Sequence, residues 1–339
     1  MPILMCFVLI LLSGILTKIF CILAKNSILT DTPNERSLHI IPKVRGGGII
    51  FIGFFLIMFP LLGYSKTIPI SNHFILLSSI FLVSIVSFID DMYTLSAKFR
   101  LLVQCIASGL IAFFMEPSVL NFGWYTLDNP FLIGCFVFFA TIWAINHFNF
   151  MDGIDGFCAS QSIFLLFGYA ILFSFFNAEL YQDACLILIT SLIGFLIFNF
   201  PPAKLFMGDV GSASLGLITF CIALIAQQKY QIPILYWFIL NGLFLFDATI
   251  TLVRRIINKE KWSAAHKKHA YQRLKQYGVD TRYILLGQAL INSSFFIGVY
   301  LFQTNKIGLN LLLLFSVGVM VLIYWLIERI FPMYNPITN

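Results

Sequence analysis

Apolar residues run through this chain in long unbroken stretches, and polar residues gather in the gaps between them. Eleven stretches approach the roughly 20 apolar residues that a helix needs to cross a bilayer. They lie at about 3–24, 47–65, 69–90, 99–116, 131–149, 157–176, 181–200, 211–228, 232–253, 283–303 and 308–331. The pattern predicts an all-α, polytopic integral membrane protein of about eleven transmembrane helices, with one integral-membrane domain over 1–339. The first stretch has no basic residues before it and is long enough to span, so it reads as a helix rather than a cleaved leader.

Composition agrees: 60% of residues are apolar and only 11% charged, against about 25% charged in soluble domains. The seven cysteines stand singly, mostly in apolar runs, and read as small buried side chains. The net charge of +6 is too small and dispersed to argue for nucleic acid, but it orients the chain. With the connections assigned alternately to two sides, seventeen of the twenty-one lysines and arginines fall on one side, and only Lys66, Lys229 and Lys306 on the other. Excess Lys and Arg marks the cytoplasmic side, which predicts a periplasmic N-terminus and a cytoplasmic C-terminus.

Four polar clusters fall on the same cytoplasmic side. The first pairs Asp90 and Asp91 at the end of one helix with Lys98 and Arg100 at the start of the next. Carboxylates at a membrane lip are costly without a partner, and simple neutralisation by those cations is the plainer alternative. The second packs Asn146, His147, Asn149, Asp152, Gly153, Asp155 and Gly156 into eleven residues. Oxygen donors this dense suit Mg²⁺, the spacing of the acids excludes an EF-hand loop, and a tight solvated turn is the alternative. His147 alone could be a satisfied interfacial histidine. The third, Phe206-Met-Gly208-Asp209-Val-Gly-Ser212, places Asp209 at an expected helix N-cap, where anions are favoured. Small residues at Gly211, Ser212, Ala213, Ser214 and Gly216 read as helix packing. The fourth runs from Asp247, an acid within an apolar stretch, through Arg254 and Arg255 to Trp262, His266, His269 and Arg273. A basic loop gripping anionic lipid is its alternative, and the lack of a nearby cysteine argues against zinc.

Together these stretches resemble the polyprenyl-phosphate N-acetylhexosamine-1-phosphate transferases, from Asp31-Thr-Pro-Asn-Glu-Arg-Ser-Leu-His39 through Pro42-Lys-Val-Arg45-Gly-Gly-Gly48 to Tyr271-Gln-Arg-Leu274. Asp90-Asp91, the Asn149 to Gly156 stretch and Phe206 to Ser212 each match a signature, in the family's order. The resemblance implies an enzyme that transfers an N-acetylhexosamine-1-phosphate from a UDP-sugar to undecaprenyl phosphate, releasing UMP, in a bacterial inner membrane. It implies Mg²⁺, with Mn²⁺ as a substitute, held by Asp209 with help from Asn149. Asp90 and Asp91 would receive the lipid phosphate, one of them as base. Asp152 and Asp155 would hold the nucleotide or tune the metal, and His266 and His269 would contact the diphosphate. Arg45, Lys98, Asn146, Gly153, Arg254 and Arg273 complete the expected substrate-binding set. Expected partners are the two substrates and membrane lipid, with a second copy of the chain as a candidate and no nucleic acid.

The stretch His266-Lys-Lys-His269-Ala-Tyr-Gln lacks the adjacent histidines of the peptidoglycan enzyme. It looks more like enzymes that start O-antigen or other surface glycans, with GlcNAc or a 6-deoxy-N-acetylhexosamine as donor sugar. The peptidoglycan phospho-MurNAc-pentapeptide reaction stays open within the family, as does two-step transfer through a covalent Asp. A transporter of lipid-linked sugars is the alternative of another class, although transporters place polar groups near the midplane. Asp90, Asp91, Asn149, Asp152, Asp155 and Asp209 are expected to converge on one cavity.

Overall fold

The computed structural model describes residues 1–31, 42–67, 69, 73–261, 264 and 266–334. Trp262 and the stretch from Thr32 to His39 lie outside the described residues. Among the described residues ten helices are long and apolar enough to cross a membrane. These are α1 (Ile3–Leu23), α2 (Gly48–Ser65), α3 (Phe74–Tyr93), α4 (Ala97–Phe114), α5 (Pro130–Phe150), α6 (Phe157–Ser174), α7 (Glu179–Asn199), α8 (Asp209–Tyr230), α12 (Thr281–Gln303) and α13 (Leu309–Ile330). The remaining apolar stretch, 232–253, is divided between α9 (Leu235–Leu240) and α10 (Gly242–Ile257). The break falls at Asn241, whose side chain turns to His147 at 2.7 Å instead of lying along the helix. The protein is therefore a multi-pass membrane protein whose ninth apolar segment is interrupted.

α8 is the hub. It is enclosed over 94% of its spanning window, whereas α13 is enclosed over 11% and presents Leu314, Val321 and Leu322 outward. An all-round apolar helix belongs inside a bundle, and the small residues from Gly211 to Gly216 let α2, α3 and α5 close on it. Besides α11 (Ala270–Gln276), the remaining elements are two two-residue ribbons, β1 (Thr30–Asp31) with β2 (Lys43–Val44) and β3 (Leu120–Asn121) with β4 (Thr126–Leu127).

Two ends of the bundle are chemically distinct. One carries the turns after α3, α5 and α10, the start of α8, and α11. The other carries Lys66 paired with Glu179 at 2.6 Å and His73 with Tyr181 at 3.0 Å. The 42–48 segment straps the start of α8 to the first end. Phe206 N–H donates to the Val44 carbonyl at 2.8 Å, and Gly47 and Gly48 N–H donate to the carbonyls of Phe206 and Met207 at 3.0 and 2.8 Å.

Candidate active site

Three helix ends meet at Asp209. Sequence placed Asp209 at the N-cap of α8, but the cap residue is Gly208 and Asp209 is the first helical residue. The capping is done from another helix. Asp91 of α3 accepts the backbone N–H of Asp209 on Oδ1 at 3.0 Å and that of Val210 on Oδ2 at 3.1 Å. The first N–H groups of a helix lack intrahelical partners, and the buried Asp91 carboxylate supplies them. Gly208 permits this with φ +76°, and a Cβ there would stand 2.4 Å from Asp91 Oδ2. Asp91, expected to receive lipid phosphate, thus has both oxygens committed to α8.

The Asp209 carboxylate is left to face the site. Arg100 Nη1 donates to Asp209 Oδ2 at 2.9 Å and to Asp90 Oδ2 at 2.8 Å, tying α3, α4 and α8 together. Asp90 Oδ1 also accepts the N–H of Leu95. The side chain of Asn149, at the end of α5, lies beside Asp209 and donates to Ser212 Oγ at 3.3 Å.

The turn between α5 and α6 carries the second cluster. Burial, reinforced by the charges of Asp209, Asp91 and Asp155, pushes the Asp152 carboxyl well above the usual carboxylate range. Asp155 Oδ2 accepts the Ala203 N–H at 2.8 Å and faces Lys43 Nζ at 3.5 Å. Gly153 is a packing position as well as a cavity wall. Tyr271 Oη, which donates to the Phe150 carbonyl at 2.9 Å, would be 2.2 Å from a Cβ on Gly153. Gly153→Ala is expected to unseat Tyr271 at a cost of about 1–3 kcal/mol. The check is a lower melting temperature in detergent together with reduced turnover; an unchanged melt would mean Tyr271 yields freely. His147 is buried between the Trp143 carbonyl and Asn241, each at 2.7 Å, and links α5 to the helix break.

The loop after α10 closes the site. Asp247 Oδ1 accepts from Thr251 Oγ1 at 3.0 Å and Ala270 N–H at 2.9 Å, and lies 3.7 Å from His269 Nδ1. This holds His269 beside Phe150 and Tyr271. His266 Nδ1 accepts the Lys268 N–H at 3.2 Å. Burial, with the charges of His269 and Arg255, pushes the His266 ring down to about 4, so it is neutral at pH 7 and its ring donor is Nε2–H. Buried Arg255 braces the loop through Glu260 at 2.9 Å and the carbonyls of Lys261 and Ala264 at 2.8 and 3.0 Å.

Two of the expected substrate-binding arginines are not brought here. Arg254 forms a two-pronged pair with Glu328 of α13 at 2.7 and 2.8 Å, and Arg273 meets the same carboxylate at 2.7 Å. Neither lines a cavity described below. The buried face of α10 runs through Ala248, Thr251 and Arg255. Arg254, one residue or about 100° away around the helix, turns to α13 instead.

Among the described residues, two cavities share Asp209. The inner cavity, about 710 Å³, has apolar walls from Val83, Val86, Leu101 and Leu252, with Lys98, Arg100, Asn146, Asn149, Asp209, Arg255, His266, His269 and Gln272 among its polar groups. The outer cavity, about 840 Å³, is lined by Asp91, Asp152, Gly153, Asp155 and Phe206 and by the cations Lys25, Lys43, Arg45, Lys204 and Lys275.

Comparison with known proteins bears on this arrangement. The profile of glycosyl transferase family 4 matches residues 73–227, which include Asp90, Asp91, the Asn149–Gly156 turn and Asp209. A Bacillus subtilis (strain 168) protein named "Probable undecaprenyl-phosphate N-acetylglucosaminyl 1-phosphate transferase" is 32% identical over 305 residues, 84% of this chain and 80% of the relative. The chain belongs to the polyprenyl-phosphate N-acetylhexosamine-1-phosphate transferases of glycosyl transferase family 4. Phospho-N-acetylmuramoyl-pentapeptide-transferases are more partial relatives of this membrane transferase. That of Streptococcus agalactiae serotype III (strain NEM316) is 33% identical over 173 residues, 46% of this chain and 50% of the relative. That of Dictyoglomus thermophilum is 29% identical over 224 residues, 63% and 68% respectively.

Among the cavity residues of the transferase that were not singled out as site residues from sequence are Arg100, Arg255 and Gln272 in the inner cavity and Lys25, Lys43, Lys204 and Lys275 in the outer one. Arg100 was legible only as a neutralising cation, because its bond to Asp209 spans 109 positions. Gln272 falls in the Tyr271 to Leu274 stretch of the resemblance, but its residue type alone assigned it no role.

Proposed function

We propose that this transferase moves an N-acetylhexosamine-1-phosphate from a UDP-sugar to undecaprenyl phosphate, on the cytoplasmic face of a bacterial inner membrane. The carrying observation is the pair of unlike cavities that meet at Asp209. The inner one, apolar along its membrane side and cationic at Lys98, Arg100 and Arg255, suits a prenyl chain ending in phosphate. The outer one, polar and ringed by five cations, suits a nucleotide diphosphate. An acceptor phosphate oxygen attacks the sugar-bearing phosphorus. The bond to the bridging oxygen breaks, and its electron pair leaves with UMP. A phosphate monoester has a second pKa near 6, so no strong base is demanded. With both oxygens of Asp90 and of Asp91 already engaged, direct transfer is favoured over a covalent aspartyl intermediate.

Among the described residues no three His, Cys, Asp or Glu side chains gather as a ready-made metal site. Mg²⁺ rarely needs one, since it takes one or two carboxylates and completes its shell with substrate phosphate and water. The adjacent carboxylates of Asp209 and Asp90, with the Asn149 amide beside them, fit that demand. Asp209 and Asn149 would hold the ion, which when bound neutralises charge at the diphosphate. The chain's own residues do the rest. Arg100 fixes the two carboxylates, Lys43 and Arg45 line the nucleotide cavity, and His266 and His269 line the inner one. The Bacillus relative's name and the wording of the histidine loop support GlcNAc or a 6-deoxy-N-acetylhexosamine as the sugar, in the first step of O-antigen or another surface polysaccharide.

The test is UMP release by the protein in detergent, given undecaprenyl phosphate and a panel of UDP-N-acetylhexosamines. Release should require the lipid, stop with EDTA, and return with excess Mg²⁺ or, more weakly, Mn²⁺. Release indifferent to EDTA would remove the metal, and no release from any donor would remove the reaction.

A further inference from the structure

Among the described residues two line both cavities: Asp209 and Gln272. If the acceptor phosphate enters from one chamber and the nucleotide from the other, the transferred phosphoryl group passes between them. Asp209, one of the two shared residues, is an acceptor of cations. The other is an uncharged amide.

The orientation of that amide is fixed. Gln272 is the third residue of α11, and its Oε1 accepts the backbone N–H of His269 at 3.3 Å. Because a backbone N–H can only donate, the oxygen must be the end turned to His269 and Nε2 the end turned away. Nε2 lies beside Gly153, 3.2 Å from where a Cβ there would stand. Among the described residues it makes no hydrogen bond of its own. The nearby carboxylates Asp152 and Asp209 can offer a phosphoryl group no donor in their charged forms, whereas the amide offers one without adding a charge or a base.

We infer that Gln272 is a substrate-contacting residue whose Nε2–H donates to an oxygen of the phosphoryl group in transit between the cavities. This rests on the proposed transfer reaction. Charge spreads over the phosphoryl oxygens in the transition state, so a fixed donor there acts on turnover more than on binding. The competing role is local. Gln at the third position of a helix forms half of a capping box, and Glu serves there equally well.

That equivalence supplies the test. Q272E keeps an oxygen for the His269 N–H but replaces the donor with an acceptor, whereas Q272A removes both. For the contact, Q272E melts like wild type in detergent yet loses on the order of 10²-fold or more in kcat. Q272A melts lower and keeps more kcat than Q272E, with KM for donor and lipid close to wild type in both. For a cap alone the order reverses: Q272E turns over like wild type and Q272A is the impaired variant, and that result overturns the inference. A wild-type protein that releases no UMP from any donor overturns the transfer reaction itself, and the role of Gln272 with it.

Discussion

Asp209→Asn should lower UMP release by on the order of 10³-fold or more while the protein inserts, purifies and melts as wild type does. The side chain sits where the two cavities meet, and its carboxylate is paired with Arg100, with Asn149 beside it. Its backbone N–H, not its side chain, receives the cap from Asp91, so Asn leaves the start of α8 intact. What Asn removes is charge. Arg100 keeps Asp90 as a partner, and no cation is left uncompensated. The variant therefore separates chemistry from architecture, through UMP release at saturating donor and lipid on one side and the detergent melting curve on the other. Turnover within tenfold of wild type would dismiss Asp209 as the charged group at the junction. A large drop in melting temperature would mean that its ion pair with Arg100 is structural.

How far the sequence could be read depended on distance along the chain. Local signals survived. The apolar stretches are the helices, their edges moved by a few residues. The polar clusters gather at one end of the bundle, because a turn between two spanning helices is fixed by its own residues. What stayed hidden were partnerships between segments. Asp90 and Asp91 are neighbours in sequence, yet α3 sends one to Arg100 and the other to the N-terminus of α8, 118 residues on. The break at Asn241 answers to His147, 94 positions away. Sequence chose Arg254 over Arg255 for the site, and only Glu328 on α13 shows that Arg254 is the one that leaves it. Gly153 looked like room for a ligand, and Tyr271 takes part of that room.

Asp91→Ala is expected to destabilise the protein by about 2–6 kcal/mol, taking about 1–3 kcal/mol for each of the two buried donors left without a partner. Asp91 is 2% exposed and its two acceptances hold the first two N–H groups of α8, so water cannot readily replace it. The methyl leaves a cavity as well as two orphaned donors, and Gly208, held at φ +76°, gives the freed turn little to resist with. The consequence should reach the site. Without the cap the first turn of α8 frays, Asp209 leaves Arg100 and Asn149, and turnover falls together with stability. Asp91→Asn should lie between, since its amide can accept one N–H but presents a donor to the other. Melting in detergent, with amide exchange along the first turn of α8, reads the difference. The expected order of stability is wild type, Asn, Ala, with exchange fastest in Ala. Wild-type protection of that turn in the Ala variant would refute the cap, and would return Asp91 to the substrate-facing role that its sequence position suggested.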